Sequence, residues 1–216
     1  MKPFASAFPE RHAMLTRFIG RQSFRLDLPD ADFYIRLPLM EDFESWRSCR
    51  LRNTDHLQPF EPTWSATAHS RTSFRNHVRR AQNELLIDRG ASLFLIEKDG
   101  GEVIGGINLR NIRRSSAQMG TLGYWMSSEY GGAGRMKRAV GRLVQFGFED
   151  YNLHRIEAAC VPENKASAAI LLGNGFEEEG FAKAYLRING SWRDHRLFAI
   201  LRPDDMPMQD VSTFRF

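Results

Sequence analysis

Residues 123–136, GYWMSSEYGGAGRM, run from an apolar stretch through a polar turn and three glycines into a helical pattern. Beyond them Met136, Val140, Leu143, Val144, Gly147 and Tyr151 recur at the spacing of one helix face, so the spacing predicts a helix that starts at the glycines. A helix start carries N–H groups without intrahelical partners and about half a positive charge, and glycines let an anion approach that backbone closely. Two readings follow. The glycines either serve a bound pyrophosphate or supply the positive φ of a tight strand-to-helix turn. The stretch is neither G-x-G-x-x-G after an early parallel strand nor a Gly-Lys-Ser/Thr loop, which excludes the two common nucleotide-binding fingerprints.

Upstream, FRLDL and FYIRL alternate around PDAD and predict two strands joined by a turn. EDFESWRSCRLRN places Phe43, Trp46, Cys49 and Arg50 near one helical face, and the prolines of LQPFEPTW interrupt it. A basic amphipathic helix is expected over 67–87, with Phe74, Val78, Ala81, Leu85 and Leu86 inward and Arg71, Arg75, Arg79 and Arg80 outward. ASLFLIEKDGGEVIGGINLRNI and QMGTLGYWM then read as a three-stranded antiparallel meander. Downstream, HRIEAACV predicts a buried strand, NKASAAILLGN a short helix, and FAKAYLRINGSWRDHRLFAIL a long hairpin turning at Asn189-Gly190. The expected class is mixed α/β.

The 216 residues, 42% of them hydrophobic, suffice for one core, and no repeat or low-complexity linker divides them. One domain over 1–216 is expected, with an N-terminal arm at 1–22 and a C-terminal tail at 203–216. No stretch has the apolar length of a membrane span and the first 18 residues lack a secretory core, so a cytoplasmic protein without membrane contact is expected. Cys49, Cys160 and the dispersed histidines have no metal-ligand spacing, and no metal is expected. A net charge of +4 favours an acidic or phosphorylated partner, or equally a solvated basic surface.

GYWMSSEYGGAGRMKRAV, HRIEAACVPENKASAAILLGNGFEEEGFAKAYLRINGSWRDH and NTDHLQPFEP, in this order and spacing, resemble the GNAT acyltransferases, specifically the ribosomal-protein-alanine N-acetyltransferase branch. The resemblance runs from about residue 33 to 202. It implies a GNAT-like central mixed, mostly antiparallel sheet flanked by helices and splayed between its fourth and fifth strands, with acetyl-CoA in the opening. It assigns backbone groups near Met126 and Ser127 to the pantetheine arm, and the N–H groups of Gly131, Gly132, Ala133, Gly134, Arg135 and Met136 to the pyrophosphate. Asn164 would bond the arm, and Ser167 would lie near the thiol or the adenosine side. Three positions depart from the family pattern: Gly131 stands where Gln or Arg is usual, Arg135 at an apolar position and Met136 at a small one. Arg135 is expected to supply the missing phosphate charge.

Acetyl transfer to an amine requires a neutral nitrogen and stabilisation of the departing thiolate. A protein α-amine, with a pKa of about 7.7–8.0, is already roughly one-tenth neutral at pH 7, whereas lysine near 10.4 is neutral only in a few parts per ten thousand. An N-terminal acceptor therefore asks little of a base. The family's frequent tyrosine acid falls on Leu171, so Ser167 or water is left to meet the thiolate, and Glu157, sharing strand parity with Ala159, is the candidate base or else a surface ion pair. Tyr124 and Trp125 are expected to pack the sheet beside a bulge whose N–H polarises the carbonyl. Phe60, Glu61, Trp64 and Trp192 are the candidate acceptor contacts. The resemblance implies a ribosomal-protein N-terminus as partner, and the arginines of 67–87 suggest weak electrostatic contact with ribosomal RNA. The competing expectations are a GNAT acetylating a small amine and a non-catalytic acyl-CoA-binding or ribosome-associated module.

Overall fold

The computed structural model describes residues 24–203. The arm expected at 1–22 lies outside them, as does the expected tail except for Pro203. The elements run β1 (Arg25–Leu26), β2 (Phe33–Arg36), α1 (Phe43–Arg52), α2 (Thr54–Leu57), α3 (Arg71–Leu86), β3 (Ala91–Glu97), β4 (Val103–Arg113), β5 (Met119–Met126), α4 (Arg135–Glu149), β6 (Arg155–Cys160), α5 (Lys165–Leu172), β7 (Glu177–Ile188) and β8 (Ser191–Leu201). They form a mixed α/β fold around one eight-stranded sheet, ordered β1-β2-β3-β4-β5-β6-β8-β7. The pairing is antiparallel throughout except between β5 and β6, where it is parallel.

That parallel pair is short. Only Met119, Gly120 and Thr121 pair, with Arg155, Ile156 and Glu157, after which the strands part. The expected splay is thus present, between β5 and β6 in this count because the two-residue β1 is included. The opening is flanked by α4 and α5, and β8 closes the far side of β6.

Local chemistry accounts for the elements that frame it. Ser70 caps α3 by accepting the Ser73 N–H at 3.2 Å, and Phe74, Val78, Ala81 and Leu85 are its buried face. The β7–β8 turn has Asn189 and Gly190 at φ 43° and 84°, the pair of left-handed residues that a two-residue hairpin needs. The first turn of α4 contains no acidic residue of its own beside Arg135, Lys137 and Arg138 at the positive end of the helix. Each such cation costs about 0.3–1 kcal/mol, whereas each buried side chain of its inner face contributes about 1.5–3 kcal/mol. Met136, Val140, Leu143, Val144 and Phe146 are all buried, so packing wins and the helix forms.

One expectation fails here. Pairing from Gly105–Met126 to Arg110–Thr121 is unshifted, so no bulge lies beside Tyr124 and Trp125. The shift occurs in β4 between Arg110 and Arg113, where Asn111 adopts φ 52°.

Candidate active site

The parted strands open into a cleft of about 1510 Å³, which extends from the glycine turn to the β7–β8 hairpin. Backbone direction decides what its β5 wall offers. The Ser127 N–H is spent on the Ile104 carbonyl of β4 at 2.9 Å, while the Gln118 carbonyl faces β6 and accepts the N–H of Arg155 at 3.2 Å. Backbone groups alternate sides along a strand, so those of Tyr124 and Met126 face the opening, beyond the last β6 partner. This corrects the pantetheine assignment in part: the Met126 backbone is available, whereas the Ser127 N–H is not.

Past β5 the chain is held by Asn53, a 2% exposed residue at the α1–α2 junction. Its Nδ2 donates to the Cys49 carbonyl at 2.9 Å and to Ser127 Oγ at 3.0 Å, and its Oδ1 accepts the Ser128 N–H and hydroxyl, both at 2.8 Å. From this anchor the chain passes a 3₁₀ turn at Ser128–Tyr130 and enters the glycines. Gly132 and Gly134 have φ 81° and 71°, yet a Cβ at either would meet nothing within 4 Å. The positive φ of the turn reading is therefore real, and so is the open space of the anion reading.

Gly134 caps α4 without any side-chain oxygen, in contrast to Ser70 on α3 and Asn164 on α5. Arg138 N–H bonds the Gly134 carbonyl at 3.0 Å, and among the described residues the N–H groups of 132–137 have no backbone acceptor. Gly131, Gly132, Gly134, Arg135, Met136 and Lys137 border the cleft here. Arg135 is already engaged: its Nε lies 2.8 Å from Asp32 Oδ2 and its Nη1 donates to the Tyr130 carbonyl at 3.2 Å. The Arg135 guanidinium holds the Asp32 carboxyl below its ordinary range. The expected phosphate arginine is thus a strap between the β1–β2 turn and the start of α4, and Lys137, exposed at the same helix start, is the cation that sequence reasoning passed over.

On the opposite wall Asn164 Oδ1 accepts the Ser167 N–H at 3.0 Å, making Asn164 the cap of α5. Tyr124 does more than pack: its hydroxyl lies 2.9 Å from Ser167 Oγ and 3.1 Å from the Ser167 carbonyl. Burial pushes its phenol well above the ordinary range, partly opposed by the Ser167 hydrogen bond. Leu171, 1% exposed, belongs to the core. Burial likewise pushes the Cys160 thiol up.

Glu157 sits at the vertex, in the last paired position before the strands part. Its Oε1 accepts from Arg155 Nε at 2.9 Å, and Arg155 Nη1 also grips Glu179 Oε1 at 2.9 Å. The candidate base is therefore inside the cleft and in an ion pair at once.

At the hairpin end the four acceptor candidates separate. Phe60 and Glu61 border the cleft, but Trp64 and Trp192 are not part of its lining, and Trp192 is 66% exposed. The Glu61 carboxylate is committed to the buried Arg50 guanidinium and to Trp64 Nε1 at 2.8 Å. Arg50 lies between the rings of Trp64 and Trp125, at 4.4 and 4.7 Å, and the Glu61 carbonyl accepts the Asn189 N–H at 2.8 Å. Glu61 thus forms part of the wall and docks the hairpin, while Trp64 supports its carboxylate from outside the cleft. His195, buried at the cleft, has Nδ1 3.0 Å from the Arg193 carbonyl.

Among the described residues no helix is long and apolar enough to cross a membrane, and no group of three or more His, Cys, Asp or Glu could hold a metal ion. A family described as the acetyltransferase (GNAT) domain matches residues 32–177. The chain is 34% identical over 172 residues to the ribosomal protein uS5-alanine N-acetyltransferase of Escherichia coli (strain K12), covering 78% of this chain and 88% of that protein. Among solved structures, the ribosomal-protein-S5-alanine acetyltransferase from Vibrio fischeri superposes with a TM-score of 0.79 at 32% identity, covering 85% of this chain and 100% of that one. RimJ of Mycobacterium smegmatis, in complex with CoA-disulfide, superposes with a TM-score of 0.76 at 31% identity, covering 86% of this chain and 88% of that one.

Proposed function

The chain belongs to the GNAT acetyltransferase family, and on that premise we propose that it transfers the acetyl group of acetyl-CoA to a protein N-terminal α-amine, the alanine of a ribosomal protein. The observation that carries the reading is the opening between β5 and β6, with outward-facing backbone of Tyr124 and Met126 at one end and the uncapped start of α4 at the other. A long, mostly uncharged arm ending in phosphates needs both features together.

Acetyl-CoA supplies the activated acetyl group. The chain's own residues do the rest. Backbone N–H groups between Gly131 and Met136 receive the pyrophosphate, assisted by Lys137, and the Met126 backbone bonds the pantetheine arm. Asn164 holds the first turn of α5, and with it Ser167, whose hydroxyl meets the thiol end. Glu157, its carboxylate held in place by Arg155, takes the proton released by the amine through water. An α-amine, already partly neutral at pH 7, suits a base held in an ion pair better than lysine does. Phe60 meets the acceptor peptide. The exposed arginines of α3 add a weak, salt-screened attraction to ribosomal RNA.

The test is mass-spectrometric mapping of the acetyl group on two peptides, one with a free N-terminal alanine and one with a blocked N-terminus and an internal lysine. Acetylation of the first alone is the expected result. Acetylation confined to lysine, to small amines or to neither would overturn the acceptor class, and the last would favour a binding module.

A further inference from the structure

We propose that Tyr124 is the positioning residue for Ser167, its hydroxyl turning the serine hydroxyl toward the sulfur of bound CoA. The inference rests on the reading of Ser167 as the group that meets the thiol. The α5 position to which the family resemblance assigns a tyrosine acid is Leu171 here, a 1% exposed apolar side chain with no hydrogen to give. A phenol reaches the same region from the other wall. Tyr124 lies on β5 and Ser167 on α5, and their oxygens are 2.9 Å apart.

Hydroxyl bookkeeping shows why this contact is more than packing. Tyr124 has one hydrogen to give and two acceptors within reach, the Ser167 carbonyl at 3.1 Å and Ser167 Oγ at 2.9 Å. If it donates to the carbonyl, Ser167 donates back to Tyr124 and has no hydrogen left for the cleft. If it donates to Oγ, the serine hydrogen points elsewhere, and the chain Tyr124 O–H to Ser167 O–H to sulfur is complete. A thiolate developing in the cleft selects the second arrangement, and hydrogen bonds in series strengthen one another. The Ser167 N–H is meanwhile fixed on Asn164, so the serine backbone stays in place while its hydroxyl turns.

No proton needs to leave the tyrosine. When the carbon–sulfur bond breaks, its electron pair goes to sulfur, which is stabilised by the serine hydrogen bond and then protonated from water. The buried phenol stays neutral throughout, because burial resists its ionisation. Of the neighbouring groups, the Cys160 thiol borders the cleft beside the Ser167 side chain but is only a weak donor and acceptor, and His195 Nδ1 lies 3.0 Å from the Arg193 carbonyl.

The experiment measures ionisation of the CoA thiol bound to the protein, by thiolate ultraviolet absorbance against pH. Tyr124→Phe, Ser167→Ala and the double variant are compared with the unsubstituted chain, and CoA affinity at neutral pH serves as the folding control. Each single substitution is expected to weaken thiol ionisation roughly ten-fold, the effect of losing one hydrogen bond to a charged group, and the double variant no further. The kcat for acetyl transfer should fall with it while KM for acetyl-CoA holds. A Tyr124→Phe protein with unchanged thiol ionisation, beside a Ser167→Ala protein that has lost it, overturns the role of Tyr124 and leaves that of Ser167. Silence in both, or no CoA binding, overturns both assignments. Multiplicative losses in the double variant also overturn the proposal, since Tyr124 would then act without the serine.

Discussion

Asn53 is the residue on which the glycine-turn end of the cleft hangs. Its side chain takes part in four hydrogen bonds, three of them with Ser127 and Ser128 at the exit of β5. Asn53→Leu fills similar space but strands the Ser128 N–H, so stability should fall by roughly 3 kcal/mol in urea unfolding and CoA affinity should fall with it. Unchanged stability and affinity would mean that the anchor is idle. The sequence displayed this site unevenly, for a physical reason. Bare backbone and positive φ are local demands, so GGAG at 131–134 could be read before any contact was known. Partners distant along the chain could not. Glu61 and Trp64 look like exposed recognition groups until Arg50, eleven positions away, is seen to neutralise the carboxylate between two tryptophans. Tyr124 likewise reads as a residue that packs the sheet until Ser167, 43 positions later, is seen to meet its hydroxyl.

Helix α3 illustrates the element scale: periodicity placed Phe74, Val78, Ala81 and Leu85 on the buried face and the arginines on the exposed side, whereas Leu86, expected inward, is only partly buried at the last turn. His77, on the same helix, stacks on Phe94 with ring centroids 5.6 Å apart and lies 6.3 Å from Phe74. Burial, with Arg110, Arg80 and Arg50 nearby, pushes its pKa from 6.5 down to about 4. The unfolded chain therefore binds this proton before the folded chain does. Stability contributed by neutral His77 is complete above about pH 6.5 and is lost as pH falls toward about 4, by roughly 3 kcal/mol in all. Urea unfolding at about pH 7 and about pH 4.5 should show this loss, and His77→Phe should remove it. An identical pH dependence in His77→Phe would refute the account. Strands were less legible than helices in one respect. The bulge expected beside Tyr124 belongs to β4 near Asn111, because the location of a bulge is set by the register between two strands rather than by either strand alone.

Across the molecule, the departure from a regular sheet is what makes the site. Three paired positions hold β5 to β6, after which each strand follows its own neighbours, β5 with β4 and β6 with β8. Hydrogen bonding is complete on the outer edges of the parted strands and incomplete between them, and α4 begins at this gap with its N–H groups unspent. A sequence can announce the glycines and the helix, but the gap is a property of eight strands together. On the proposed reading, backbone more than side chains receives CoA at 124–137, and amide hydrogen exchange reads backbone directly. Saturating CoA is predicted to slow exchange at Tyr124, Met126 and residues 132–137 by roughly ten-fold or more, with much smaller changes along α3. Tight CoA binding that left exchange at 132–137 unchanged would contradict the account.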